Sequence, residues 1–363
     1  VQAANALVVA PLVVLNALPR SVRRLEMKTN RQWLLKQRPH GMVGEENFEY
    51  AETPIPEPGP DQVLVRNRYL SFDPTQRGWM EDRPSYLPPV GIGEPMRAGS
   101  VGQVVKSAHP GFSEGDWVQG SGGWQDYFVG DASGAMGLRK VPEGVAPTMV
   151  LSVLGVTGIT AYWGMLDLGR PASGQTVLVS GAAGATGSIA GQIARLKGAR
   201  VVGIAGGSEK CGWLTDTARF DAAIDYRNDN VATAIAETCP DGVDVFFDNV
   251  GGSILESALD NLAQGARVVL CGGISGYNAT EPQPGPRNLM NLIIKRARME
   301  GFIVLDYYDR IAIAVEEMLG WIASGELVYQ EDLQQGFDQI PATLGRLFTG
   351  DNIGKQLLEI DWD

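Results

Sequence analysis

Residues 176–198, TVLVSGAAGATGSIAGQIARLKG, place glycines at 181, 184 and 187 between an apolar run and a helical one. Residues 176–180 have the short apolar character of a buried parallel strand. Ile189, Ile193 and Leu196 then recur at helical spacing until Gly198 stops the helix. A strand, a glycine turn and a helix in that order can seat a dinucleotide pyrophosphate. The backbone permits close approach, and the helix N-terminus favours negative charge. Against the fingerprint Gly-x-Gly-x-x-Gly the chain sets Ala182, Gly184 and Gly187, with Ala185 and Thr186 between the two glycines. Such a turn can also serve conformation alone; its place between strand and helix favours the cofactor. The next strand, 200–205, runs out into Gly206, Gly207, Ser208, Glu209 and Lys210. An NAD site usually carries an acidic residue there for the ribose hydroxyls. Glycine instead leaves room for a 2′-phosphate, with Ser208 and Lys210 as donors, so NADPH is the expected cofactor. Glu209 argues the other way, and Lys210 alone would read as a solvated lysine at a helix start.

The elements around this turn set the fold class. Strands are expected at 176–180, 200–205, 222–226, 243–248, 267–271 and 299–304, with helices between them. That alternation makes an α/β, doubly wound parallel Rossmann sheet. Residues 27–150 are rich in glycine and proline, with short alternating runs such as QVLVRNRY at 62–69. Residues 115–118 followed by 123–129 read as a hairpin-rich sheet. This segment is mainly β. A helix near 309–323 and a strand at 355–360 complete the chain, the tail returning to the β segment. The expected organisation is therefore 1–26 as an extension, 27–150, 151–306 as the nucleotide-binding unit, and 307–363. Residues 1–26 are apolar, then arginine-rich, and are expected to be disordered and dispensable.

Composition excludes several classes. A net charge of −12 argues against a nucleic-acid surface, and no run is long enough for a membrane span. Three scattered cysteines point to a reducing compartment, read as cytoplasmic. His40 and His109 are the only histidines, so no metal site is expected.

From residue 27 onward the chain resembles the zinc-independent medium-chain dehydrogenases/reductases, specifically the prostaglandin reductase, alkenal double-bond reductase and curcumin reductase group. The resemblance rests on RQWLLKQRPHG (31–41), YLSFDPTQRGWM (69–80), GDWV (115–118), GWQDYFV (123–129), GITAYWGMLDLG (158–169), AAGATGSIAGQIARLKG (182–198), VVGIAGGSEK (201–210), FFDNVGG (246–252), CGGISGYNAT (271–280), RMEGFIV (298–304) and GDNIGK (350–355). It implies a Rossmann domain beside a GroES-like catalytic domain, and a homodimer formed through the edge of the nucleotide-binding sheet. It implies that Gly184, Ala185, Thr186 and Gly187 hold the pyrophosphate and Lys210 the 2′-phosphate. Tyr226 would lie near the adenosine, and Asn249 would cap a strand beside the cofactor. Backbone around Cys271, Gly272 and Ser275, with Phe302 and Val304, would line the nicotinamide, and Asn352 would reach the same cofactor. Taken singly, Tyr226, Asn249 and Asn352 also read as strand-end or turn residues. The Cys271 thiol is expected to have no role of its own.

The chemistry so implied is hydride transfer from NADPH to the β-carbon of an α,β-unsaturated ketone or aldehyde. Charge then develops on the carbonyl oxygen, which needs a donor. Tyr277 is the leading candidate and Tyr86, in the stretch PSYLPP, the second. The sequence departs from the family where Asp-Pro-Tyr becomes Asp73-Pro74-Thr75, losing one phenol. Two alternatives stand beside the enone reductase: a quinone reductase using the same cofactor, and a non-catalytic NADPH-binding sensor.

Overall fold

The computed structural model describes residues 29–134 and 136–362, so the N-terminal extension lies outside the described residues. Six strands form one parallel sheet in the order Ala222–Asp225, Arg200–Ala205, Thr176–Ser180, Val243–Asp248, Leu262–Leu270 and Arg298–Gly301. The central strands are continuous apolar runs because helices cover both faces. Val177, Leu178, Val179, Val201, Val202, Val245, Phe246 and Phe247 are all fully buried. Sequence order reverses between Thr176–Ser180 and Val243–Asp248. A crevice opens at such a switch point, beyond the carboxyl ends of the strands.

The boundaries of two strands differ most from those read in the sequence. The fifth strand begins at Leu262, because Val243 pairs with Leu262 before a register shift brings Val245 opposite Arg267. The sixth stops at Gly301, and Phe302 and Ile303 lead into a 3-10 turn over Val304–Arg310 that precedes the helix Ile311–Ala323.

The second sheet is mainly antiparallel. It runs Glu331–Gln335, Lys355–Glu359, Val63–Ser71, Ser100–Ser107, Trp117–Gly120 and Arg139–Lys140, with Tyr127–Gly130 also paired to Val63–Ser71. Within this sheet Trp117–Gly120 and Tyr127–Gly130 take different partners. Trp117–Gly120 pairs with Ser100–Ser107, whereas the next segment runs alongside residues 33 and 96–98. There Gly123 N–H donates to Ala98 O, Trp124 N–H to Met96 O and Trp33 N–H to Trp124 O. The fully buried Trp124 accounts for this course, since it packs with Phe48 and Phe72 inside the lobe.

The tail ties the two sheets together. Lys355–Glu359 pairs with Val63–Ser71, and Gly354 N–H donates to Ala183 O at 2.8 Å in the glycine turn. Gly354 has φ +72°, and a Cβ there would meet Gln330 O at 2.1 Å, so only glycine fits this crossing. Among the described residues no helix is long and apolar enough to cross a membrane.

Candidate active site

A cleft of about 1160 Å³ lies between the two sheets. It gathers Gly184, Ala185, Thr186, Gly187, Lys210, Tyr226, Asn249, Cys271, Gly272, Ser275, Phe302, Val304 and Asn352, together with Tyr277 and Tyr86. Ser208 is the exception. It is exposed and lines a polar recess of about 690 Å³ shared with Lys210 and Gly350.

The floor of the cleft is the turn from Gly181 into the helix Ala185–Leu196. A Cβ on Gly187 would lie 2.4 Å from Gly181 O, so the helix can approach the strand this closely only with glycine. Gly184 enters the helix in extended backbone, and no side chain caps its first turn. Those N–H groups therefore face the cleft with their positive end uncompensated, as an anion seat requires. Gly206 ends the second strand, and the Tyr226 ring lies 2.8 Å from where its Cβ would be. That ring forms a wall of the cleft beside Gly206. The residues present thus fit a dinucleotide with an extra phosphate.

The opposite wall is held by a buried network. Asp248 accepts from Ser180 Oγ at 2.6 Å and from the Val250 and Gly251 N–H groups at 3.0 and 3.1 Å. Burial pushes its carboxyl up, against the pull of those donors. Asn249 Nδ2 donates to Ser180 O at 2.7 Å, so this side chain fastens the ends of the strands Thr176–Ser180 and Val243–Asp248. Asn352 donates to Gly354 O at 3.0 Å, stiffening the tail where it meets the glycine turn. The Cys271 thiol is pushed up to about 12, by burial first and by Asp248 second, and stays protonated.

Tyr277 follows a short 3-10 turn, Ile274–Gly276, and its phenol oxygen accepts from Gly273 N–H at 3.3 Å. Burial raises the phenol above its ordinary value, while the Gly273 N–H works in the opposite direction. The proton is thereby kept and remains available for donation. Tyr86, on the loop after residue 80, shares a short hydrogen bond with Thr75 Oγ1, so the residue standing in the family tyrosine's place contacts another phenol.

Two residues that sequence reasoning passed over complete the frame. Arg77 is 2 % exposed; its guanidinium donates to Asn278 Oδ1 at 3.0 Å, Glu81 at 2.9 Å, and the carbonyls of Pro39 and Gly41. It thus joins one lobe to the residue after Tyr277. Lys355 is equally buried; its ammonium donates to Phe72 O at 2.9 Å and pairs with Asp73. The polar motifs containing them, TQRGWM and GDNIGK, were the available signal. Neither spacing says that a charge goes inside.

Residues 31–138 match the family described as the N-terminal domain of oxidoreductase, and residues 185–323 match zinc-binding dehydrogenase. Among the described residues, no group of His, Cys, Asp or Glu gathers that could hold a metal ion. The NADPH-dependent curcumin reductase of Escherichia coli is 43% identical over 93% of this chain and 99% of its own length. This chain belongs to the medium-chain dehydrogenase/reductase family. Within it, the group is that of the curcumin, alkenal and prostaglandin reductases. A 2-alkenal reductase (NADP(+)-dependent) from Nicotiana tabacum is 37% identical over 92% of this chain and 98% of its own. The crystal structure of CurA in complex with NADPH from Vibrio vulnificus superposes with a TM-score of 0.87 at 41% identity, covering 92% and 100% of the two chains.

Proposed function

We propose that this medium-chain reductase is an NADPH-dependent 2-alkenal/enone reductase, reducing the carbon–carbon double bond of α,β-unsaturated ketones or aldehydes. The observation that carries the reading is the meeting, in one cleft, of an uncapped glycine-turn helix and a protonated phenol at Tyr277. NADPH supplies the hydride that adds to the β-carbon. Gly184–Gly187 would hold its pyrophosphate, Lys210 its 2′-phosphate and Tyr226 its adenosine, with Asn249, Asn352, Phe302, Val304 and backbone at Cys271, Gly272 and Ser275 enclosing the remainder. Ser208 would reach the phosphate from the adjoining recess. Tyr277 donates to the carbonyl oxygen as negative charge collects there, a donor aimed where charge develops. Tyr86 is the second donor to the same oxygen, oriented by Thr75. The α-carbon takes its proton from water. Steady-state turnover of a small alkenal, a bulky enone and a quinone with NADPH tests this reading. Turnover of the quinone alone would move it to quinone reductase, and tight NADPH binding without turnover would make it a sensor.

Thr75→Tyr is expected to change the ratio of kcat/KM between a bulky enone and a small alkenal by about tenfold, because it fills the space beside Tyr86. Loss of NADPH affinity with the ratio unmoved would count against that assignment.

The chain further divides, in this reading, into a catalytic unit of 27–150 with 307–363 and a nucleotide-binding unit of 151–306. Three free cysteines suit a reducing cytoplasm. The enzyme acts as a homodimer joined through the Arg298–Gly301 edge of the parallel sheet. Among the described residues that edge strand has one partner, and beside it Met290, Ile293 and Ile294 are 63%, 68% and 60% exposed. Such a contiguous apolar patch at an open sheet edge needs a cover. Ile293→Asp should shift the sedimentation coefficient from dimer to monomer; an unaltered dimer would place the interface elsewhere.

A further inference from the structure

The recess beside the Tyr226 wall holds two cations where the sequence motif suggested one. Lys210 Nζ donates to Gly350 O at 2.8 Å, and Arg227 Nη2 donates to Thr349 O at 3.4 Å. Successive carbonyls of one turn therefore hold an ammonium and a guanidinium side by side. A Cβ on Gly350 would lie 3.3 Å from Arg227 Nη2 and 3.9 Å from both Lys210 Nζ and the Tyr226 hydroxyl, so the three groups ring one point. Another Arg227 nitrogen, Nη1, lies 3.9 Å from where a Cβ on Gly207 would be, over the start of the helix Ser208–Asp216.

Charge around this point is mixed, since Glu209, Glu331, Asp332 and Asp351 line the recess with the two cations. Burial lowers the Lys210 ammonium first and the Arg227 charge lowers it further, while Asp351, Asp332 and Glu209 act the other way. Among the described residues neither cation has a carboxylate within ion-pair distance. Asp225, two residues before Arg227, is occupied with other donors. Its oxygens accept from Gly207 N–H at 2.7 Å, from the Arg227 N–H at 3.1 Å and from Asn228 at 2.7 Å. The Arg227 charge still works against the Lys210 ammonium, a phosphate between the two would be attracted to both, and a guanidinium suits phosphate oxygens better than an ammonium alone.

We propose that Arg227 is a second cationic ligand of the cofactor's 2′-phosphate and sets the preference for NADPH over NADH; this rests on the NADPH reading of the cleft. The probes are 2′,5′-ADP and 5′-AMP, which differ in that phosphate, titrated calorimetrically against the wild type, Arg227→Gln and Arg227→Lys. In Arg227→Gln the ratio of the two affinities should fall about tenfold, as the loss of one charge-assisted phosphate contact predicts. Arg227→Lys should retain most of the ratio. Measurable 5′-AMP binding by the Gln variant shows that the pocket is folded. A Gln variant with the wild-type ratio overturns the role of Arg227 and leaves the NADPH reading standing. A wild type that binds both probes equally overturns the NADPH reading itself, and this inference with it.

Discussion

Tyr277→Phe is expected to lower kcat for an enone by about 10²- to 10³-fold while NADPH binds as in the wild type, the range for losing one preorganised oxyanion donor. The variant keeps the ring and its packing, and removes only the hydroxyl that accepts from Gly273 N–H. That hydrogen bond leaves the phenol proton to point elsewhere. Because burial raises the phenol, the donor form persists as pH climbs to the ordinary tyrosine value and is lost only above it. Loss of activity on the alkaline side should therefore begin above pH ~10, the reference value for tyrosine, if Tyr277 governs it. Stopped-flow hydride transfer with saturating NADPH separates the two effects. A variant with wild-type kcat would leave Tyr277 a packing residue and shift the donor role to Tyr86.

The largest expected effect on stability is at Lys355. Its ammonium is enclosed and bonded to Phe72 O and Asp73, and it lies on the strand that carries the tail from the glycine turn into the second sheet. Removing one partner of a buried pair costs about 3–5 kcal/mol, because the remaining charge stays desolvated. Asp73 keeps some contact with solvent and a second donor in Ser71 at 2.6 Å, which places Lys355→Met toward the lower end of that range. The double variant Lys355→Met with Asp73→Leu should recover much of the loss, since no charge is then stranded. Urea denaturation of the two variants distinguishes these cases. Equal destabilisation in both would mean that packing of the lysine stem, and not the pair, holds the crossing.

The parallel sheet was legible because its central strands are apolar runs, and because its glycine turn sits between one of them and a helix. Boundaries slipped where pairing geometry decided them: the register shift after Val243 draws the fifth strand back to Leu262. The course of the chain at Trp124 was not legible because alternation cannot say which partner a strand takes. The candidate residues of the cleft came together through the family resemblance, since Tyr86, Tyr277 and Asn352 lie far apart in the chain. Arg77, Arg227 and Lys355 stayed hidden for a shared reason. A charged side chain in a sequence reads as solvated, and its burial or its convergence with another cation is decided only by tertiary contacts.

The central claim is tested most directly by following the label from NADPH deuterated at its transferable position into the product of a simple enone. The account predicts a saturated ketone carrying deuterium on the former β-carbon. An allylic alcohol labelled at the carbinol carbon, or consumption of NADPH by a quinone with the enone untouched, would contradict it.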